Sequence, residues 1–317
     1  MTKKNLYKGI AFALGACFVW GLIFIVPYFM PEYTSIEIVI GRYLFYGSAS
    51  CLMFLKAKCQ GGCKYSKAIW LKALYFCLIA TIGYYTFLVL AVRYSSPDIC
   101  ALILGISPIA IAFYGNWKQR ETTFKSLILP SVLILIGLII LNINDFIASP
   151  SHASYSLGLF FSFLALIAWS WYVVTNSKFL NYHPNVYSSD WATLIGVASF
   201  FWAFVLILIL TPFFETPIEM TKYFTTKFLI GSATLGLICS WIGAFLWNRA
   251  SLYLPVSLAG QLTIFETIFG VLYFYLFTQS LPSILEVIGI IILLSAIMYG
   301  IRKFTRRKAF TDQISPH

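Results

Sequence analysis

Apolar runs bounded by charges, prolines or polar clusters recur ten times along the chain, at 9–28, 35–55, 69–91, 96–115 and 126–144, then at 156–176, 188–210, 228–247, 255–277 and 283–301. A helix rises about 1.5 Å per residue, so about 20 residues cross the ~30 Å hydrocarbon core of a bilayer. Each run therefore predicts one transmembrane helix, with tight turns near 95–98 and 252–255 separating neighbours. Composition agrees. Of the 317 residues, 60% are hydrophobic and 10% charged, against about 45 to 50% apolar and about 25% charged in soluble domains. The expected fold is an all-α integral membrane protein of ten transmembrane helices with no large soluble domain.

The net charge of +11 matters through where it sits. Of 22 Lys and Arg, 18 fall on one side of the predicted bundle, three (Arg93, Lys222 and Lys227) on the other, and Arg42 lies within a span. Basic residues accumulate in cytoplasmic connections, so the bias predicts both termini in the cytoplasm and supports an even number of spans. It also explains the basic excess without nucleic acid, for which the chain has no basic domain, RNA-binding signature or helix-turn-helix. Lys3, Lys4 and Lys8 flank a retained first helix, and residues 302–317 are expected to form a basic cytoplasmic tail near anionic headgroups.

Self-comparison aligns the two halves at a constant offset of 159 through their last three spans. Ala91-Val92-Arg93-Tyr94 falls on Ala250-Ser251-Leu252-Tyr253, Ser107-Pro108 on Glu266-Thr267, and Gly137 on Ala296. Near the start of each half Trp20 falls on Trp169 at an offset of 149, the difference being taken up by the longer loop at 56–67. The pattern predicts one five-helix repeat at 1–148 and a second at 149–301. With an odd number of spans in each half, the second enters the membrane from the opposite side. Secondary transporters use such inverted repeats to rock between outward-facing and inward-facing states about a midplane site.

Polar groups deep in apolar spans are the candidates for function, because an ionised side chain there costs several kcal/mol unless paired, protonated or hydrated. Glu266 lies about 11 residues, ~16 Å, from either end of its span. Thr263, Ala259 and Gly270 fall near the same helical face and leave room for ligand or water. The carboxyl suits a proton carrier or a counter-charge to a substrate ammonium; a buried acid hydrogen-bonded for packing is the alternative. Gln261, about 140° around the helix from Glu266, reads equally as substrate contact or interhelical glue. Arg42, ~10 Å into the second span, needs a carboxylate, carbonyl or water. Glu266 and the substrate's own carboxylate are its candidates, with a structural ion pair or snorkelling the alternatives. Pro108 deprives the Leu104 carbonyl of its helical donor, which kinks or gates the fourth span. Trp20 and Trp169 are central, where an interfacial belt fits them less well than it fits Trp117 or Trp191. They are expected to wall a cavity, with faces suited to a cation, or to pack a bulky core. Glu286 and Asp190, near span ends, read as interfacial charges.

Enzymatic readings lack material. The chain contains no H-E-x-x-H, Walker loop, G-x-S-x-G elbow or dinucleotide fingerprint. His152, His183 and His317, and Asp98, Asp145, Asp190 and Asp312, fall in loops, at span ends or in the tail. Cys17, Cys51, Cys77, Cys100 and Cys239 lie in apolar runs as small hydrophobes, and Cys59 and Cys63 lack the second Cys/His pair of a zinc site. Reduced thiols, no metal and no cofactor are expected.

Gly243-Ala244-Phe245-Leu246-Trp247-Asn248-Arg249-Ala250 followed by Leu254-Pro255, together with Phe18-Val19-Trp20-Gly21, Gly41-Arg42-Tyr43, Ser107-Pro108 and Ala168-Trp169-Ser170-Trp171-Tyr172, resembles the drug/metabolite transporter superfamily of the EamA type. The resemblance covers nearly the whole chain. It implies a ten-helix carrier built from two five-helix repeats in a bacterial inner membrane, moving amino acids, nucleotide sugars or other metabolites inward or outward. Two departures matter. Phe265-Glu266-Thr267 keeps the acid but lacks the proline of the family's ninth-helix Leu-Glu-Pro, which weakens transfer of a family gating hinge, and Arg120-Glu121 stands where the fourth helix usually closes on Gly-Glu. The expected function is secondary active transport of a small polar metabolite, an amino acid or related zwitterion, by alternating access. Proton coupling through Glu266 is a separate expectation. A channel or a non-transporting membrane scaffold would share the composition without two alternating states. The expected partners are the lipid bilayer, the small-molecule substrate and protons.

Overall fold

The structure, a computed structural model, describes residues 3–61, 65–95, 100, 103–142, 155–210 and 223–314. Its helices are α1 (Lys3–Ile25), closed by a 3-10 turn at Val26–Phe29, and α2 (Ser35–Cys59). Helix α3 runs without a stop through Lys67–Cys77, Leu78–Gly83 and Tyr84–Tyr94. Then follow α4 (Ser107–Gln119), α5 (Phe124–Leu141), α6 (Tyr155–Tyr182) and α7 (Ser188–Leu210). Helices α8 (Thr226–Tyr253), α9 (Val256–Thr278) and α10 (Ile284–Ile314) complete the chain. No strand occurs among the described residues. Hydrocarbon offers the backbone no hydrogen-bond partner, so segments this apolar close their own bonds as helices.

All of these except α4 are long and apolar enough to cross a membrane, giving nine such helices among the described residues. The fourth predicted span, 96–115, lies partly outside them; within them it is helical at 103–105, turns at Ile106 and continues as α4. Several helices outrun their apolar runs. Helix α2 reaches Cys59, α6 reaches Tyr182 and α10 continues through the basic segment to Ile314, because polar side chains beyond the lipid are still good helix formers.

The helices pack as a set of pairs. Helix α2 lies along α7, α5 along α10, and α4 along the first part of α9. Helix α1 rests on α8 and α9 as α6 rests on α3 and α4, and α8 touches α2 as α3 touches α7. Exchanging helix n for helix n+5 leaves this set of pairs unchanged. Glycines permit the closest approaches: a Cβ on Gly236 of α8 would lie 2.7 Å from the Arg42 carbonyl and 2.8 Å from the Tyr46 nitrogen of α2. Large apolar side chains such as Leu52, Ile167, Leu208 and Ile291 point outward, where lipid replaces water as their solvent.

Three irregularities recur in both halves. Residues Leu78–Gly83 of α3 and Thr234–Ile242 of α8 are wound as π-helix, and moving the first by 159 places it inside the second. Arg120 and Gln279, 159 apart, both end their helices in the left-handed region, at φ 51° and 53°. Helices α4 and α9 are both preceded or interrupted by a tight turn with one bonding pattern. Ile106 N donates to Ile103 O (3.1 Å) and Ile106 O accepts from Ile109 N (2.9 Å); Thr263 N donates to Gly260 O (3.2 Å) and Thr263 O accepts from Glu266 N (2.9 Å).

One expectation from the aromatic belt is corrected. Trp191 is fully buried, its Nε1 donating to Asn176 Oδ1 at 2.6 Å, so it is a core residue at the α6–α7 junction. Six cysteines, at 17, 51, 59, 77, 100 and 239, are free thiols; Cys63 lies outside the described residues.

Candidate functional site: an interior space between α2 and α9

Glu266 is in the second part of α9, one turn past the interruption at Thr263. The turn is held by the Thr263 hydroxyl, which donates to Gly260 O at 2.7 Å. The tightened turn diverts the Glu266 N–H to Thr263 O, and the Leu262 carbonyl instead meets the Cys17 thiol of α1 at 3.4 Å. Thr263 thus sets where the helix steps before its acid. Helix α9 breaks here although Thr267 stands where the family has proline.

Arg42 of α2 faces the same region from the other side. Its Nε donates to Ser240 Oγ of α8 at 2.8 Å, its guanidinium lies 5.6 Å from the Tyr43 ring centroid, and Ser240 Oγ in turn donates to Leu235 O at 2.9 Å. Arg42 and Glu266 are close enough for each charge to act on the other, yet no ion pair within 4 Å joins them. Tyr84 of α3 feels both charges. Tyr43, Tyr84, Tyr172 and Glu266 are enclosed by protein, and each still keeps part of its surface accessible. Side chains of that kind line an interior space; a close-packed core would leave them none.

Aromatic rings wall the space. Trp20 and Trp169 meet edge to face at 6.2 Å, Trp169 adjoins Tyr84 at 5.5 Å and Tyr172 at 5.6 Å, and Trp20 adjoins Trp247 at 5.5 Å. Trp20 is buried and anchored by its Nε1, which donates at 2.9 Å to the Cys239 carbonyl in the π segment of α8. Gly243 lies directly beside that ring, where a side chain would collide with it.

The other candidates are placed elsewhere. Gln261 is buried with its amide against Gly300 of α10, and neither amide atom has a partner. Pro108 opens α4 just after the turn at Ile106 and is buried against its neighbours. Glu286 takes hydrogen bonds from Tyr275 OH (2.5 Å) and Ser283 N (2.7 Å), and Asp190 takes one from Tyr65 OH (2.6 Å). No group of three or more metal-ligating side chains occurs among the described residues. An open cleft of about 300 Å³ at the lysine-rich end, lined by Asn5, Gln119, Asn181 and residues 251–255, holds no charged side chain.

The two ends of the bundle are joined differently. At the lysine-rich end Glu121, just past α4, caps the start of α9: Oε1 accepts from Val256 N (2.6 Å), and Oε2 from Ser257 N (2.8 Å) and Ser257 Oγ (2.5 Å). At the opposite end Tyr223 OH donates to Glu37 (2.6 Å), Tyr33 and Thr225 share a hydrogen bond (2.5 Å), and Lys227 pairs with Glu32 (3.6 Å). Ser280, 159 positions after Glu121, bonds Thr278 of its own turn and no other side chain among the described residues.

Residues 7–143 match the EamA-like transporter family. The match spans α1 to α5, somewhat less than half of the chain. It is 28% identical over 327 aligned positions to the inner membrane protein YtfF of Escherichia coli (strain K12), an alignment covering 97% of this chain and 99% of that protein. A crystal structure of another protein superposes with a TM-score of 0.77 at 13% identity, covering 94% of this chain and 98% of that one, a likeness of fold. The nine long apolar helices and the full-length likeness to an inner membrane protein make the chain an integral membrane protein surrounded by lipid, similar in its first half to a transporter family.

Of the residues singled out from the sequence, Glu266, Arg42, Trp20 and Trp169 lie in one region of the structure. Tyr84 and Ser240 are not singled out there, and Tyr43 and Tyr172 appear only inside the quoted motifs; with 20 tyrosines in the chain a single one stands out little, whereas Ser240 could have been noticed because it falls 159 after Thr81.

Proposed function

We propose that the chain is a secondary active transporter of a small polar metabolite, an amino acid or related zwitterion, working by alternating access. The observation that carries this reading is an acid and a base, Glu266 and Arg42, presented separately to one interior space. Unpaired ionisable groups at membrane depth are expensive, so a ligand bearing an ammonium and a carboxylate answers both. The tryptophan and tyrosine faces around them suit a bound cation and its apolar part.

Alternation would take place between two inverted halves, 1–148 and 149–301. The helix pairs that survive exchange of n for n+5, the two π segments, and the left-handed residues at 120 and 279 support this division. So does the family match, which ends close to the end of α5. The lysine and arginine bias supports cytoplasmic termini, hence a cytoplasmic lysine-rich end. Glu266 would take up a proton when no substrate ammonium is present.

Counterflow in proteoliposomes tests the proposal. Vesicles preloaded with pooled amino acids should accumulate at least one labelled amino acid saturably, and folded Glu266→Gln should lose that accumulation. Flux that rises linearly with concentration, or a chemically altered product, would contradict it. Proton coupling is tested separately: an imposed pH gradient should drive uptake in the wild type, and an equal response in a transporting Glu266→Gln would exclude Glu266 from coupling.

A further inference from the structure

We infer that Arg42 is the subsite for the substrate's carboxylate and that Ser240, seated on the π segment of α8, is the residue that aims it. The ligand class rests on the carrier reading above; the seat itself rests on hydrogen bonds.

The donors and acceptors of the seat are fully assigned. The hydroxyl proton of Ser240 goes to the carbonyl of Leu235, five residues earlier, at 2.9 Å. A lone pair of the same oxygen is then left for Arg42 Nε–H, at 2.8 Å. A step of five residues is the spacing of π winding, so the seat is a product of the segment Thr234–Ile242. Tyr43 covers one face of the guanidinium, with its centroid 5.6 Å away. One edge and one face of Arg42 are therefore used by protein.

The remaining edge carries Nη1 and Nη2, which have no partner among the described residues, and Arg42 keeps accessible surface. Two parallel N–H donors in a fixed fork match the two oxygens of a carboxylate. Glu266 does not take that place, since no ion pair within 4 Å joins it to Arg42. Its charge still acts in the same space, which disfavours a dianionic phosphate against a zwitterion. The equivalent position in the first half supplies a contrast. Thr81, 159 residues before Ser240, bonds the Cys77 thiol at 3.3 Å and holds no Lys or Arg among the described residues, so the first half does not repeat the seat at that position.

Binding read from tryptophan fluorescence tests this without transport, because Trp20 and Trp169 wall the space. The probes are the proteinogenic L-amino acids, their decarboxylated amines, their deaminated acids and inorganic phosphate, each added to the purified full chain in detergent. The wild type should bind at least one amino acid saturably and its amine about tenfold more weakly, the scale of one charge-assisted hydrogen-bond pair. Ser240→Ala should erase most of that preference by weakening the amino acid and leaving the amine unchanged, and Ser240→Thr should restore it. A general loss of structure would weaken both ligands alike. Should Ser240→Ala fail to fold, Arg42→Lys, which keeps the charge but lacks the Nε–H and the fork, carries the same comparison. Equal affinity for amino acid and amine, a preference that survives Ser240→Ala, tighter binding of phosphate, or no binding of any carboxylate by folded protein would each overturn the inference. Selective binding without counterflow would instead overturn alternating access and leave the subsite standing.

Discussion

Trp20 shows how one side chain joins packing to the site. Its ring fills the gap between Trp169, Trp247 and Gly243, while its Nε1 satisfies the Cys239 carbonyl at 2.9 Å. Trp20→Phe keeps most of the apolar contact and removes the donor, leaving a buried carbonyl with one partner fewer. A loss of about 1 kcal/mol follows, seen as a lower melting temperature in detergent, while Trp20→Ala should cost about 3 to 5 kcal/mol. Equal melting temperatures for the two variants would show that the hydrogen bond and the ring contribute nothing separable. Outside the spans, Tyr223 makes a second prediction. Burial, the hydrogen bond to Glu37, that carboxylate's charge and Tyr33 push its hydroxyl up to about 12 from 10. The bond to Glu37 is therefore fully present below pH 10 and is lost as pH rises through about 12. In a titration of tyrosine absorbance Tyr223→Phe should remove one late-ionising phenol from the difference against wild type; superimposable titrations would contradict this. Glu266, Arg42 and the two tryptophans were legible in the sequence because charge and bulky polar aromatics are rare at mid-span. Ser240 and Tyr84 were not, since their role comes only from which helix they meet.

At the scale of elements, spans were legible because lipid forces each long apolar run into a helix, and α7 was expected at 188–210 and is found at Ser188–Leu210. The winding inside α3 and α8 was hidden. Leu78–Gly83 and Thr234–Ile242 contain no proline, and the second is met by donors from other helices, Trp20 Nε1 to the Cys239 carbonyl and Arg42 Nε to the Ser240 hydroxyl, that the local sequence does not announce. The interruption of α9 at Thr263 was also unexpected once Thr267 had replaced proline, yet the Thr263 hydroxyl suffices to hold it. Helix contacts set a strict limit at Gly236, whose missing Cβ faces backbone atoms of α2 that cannot turn aside. Gly236→Val should cost at least about 1 to 3 kcal/mol, the scale of overpacking, and should shift Ser240 away from Arg42. A melting temperature equal to wild type would contradict the close α2–α8 crossing.

Across the whole molecule the main helix pairs survive exchange of n for n+5, although α8 also packs on α6 and α7 without a comparable counterpart at α3 among the described residues, and the two ends are fastened unequally. Glu121 holds the start of α9 with three hydrogen bonds at the lysine-rich end, whereas Ser280, its equivalent by offset, has no corresponding reach across the molecule among the described residues. Arg120-Glu121, where the family it resembles closes on Gly-Glu, retains the acid as a cap and makes the left-handed turn with arginine in place of glycine. Two rigid halves that alternate about one site cannot open at both ends together, so weakening one fastening must close the other. The direct measurement is reactivity toward a membrane-impermeant maleimide of Ser251→Cys at the lysine-rich end and Met30→Cys at the opposite end, both now buried, each with and without Glu121→Gln and against the parent chain. The account predicts that Glu121→Gln raises labelling at 251 and lowers it at 30. Labelling that rises at both ends, or at 251 with no change at 30, would mean independent gates of a channel and would contradict alternating access.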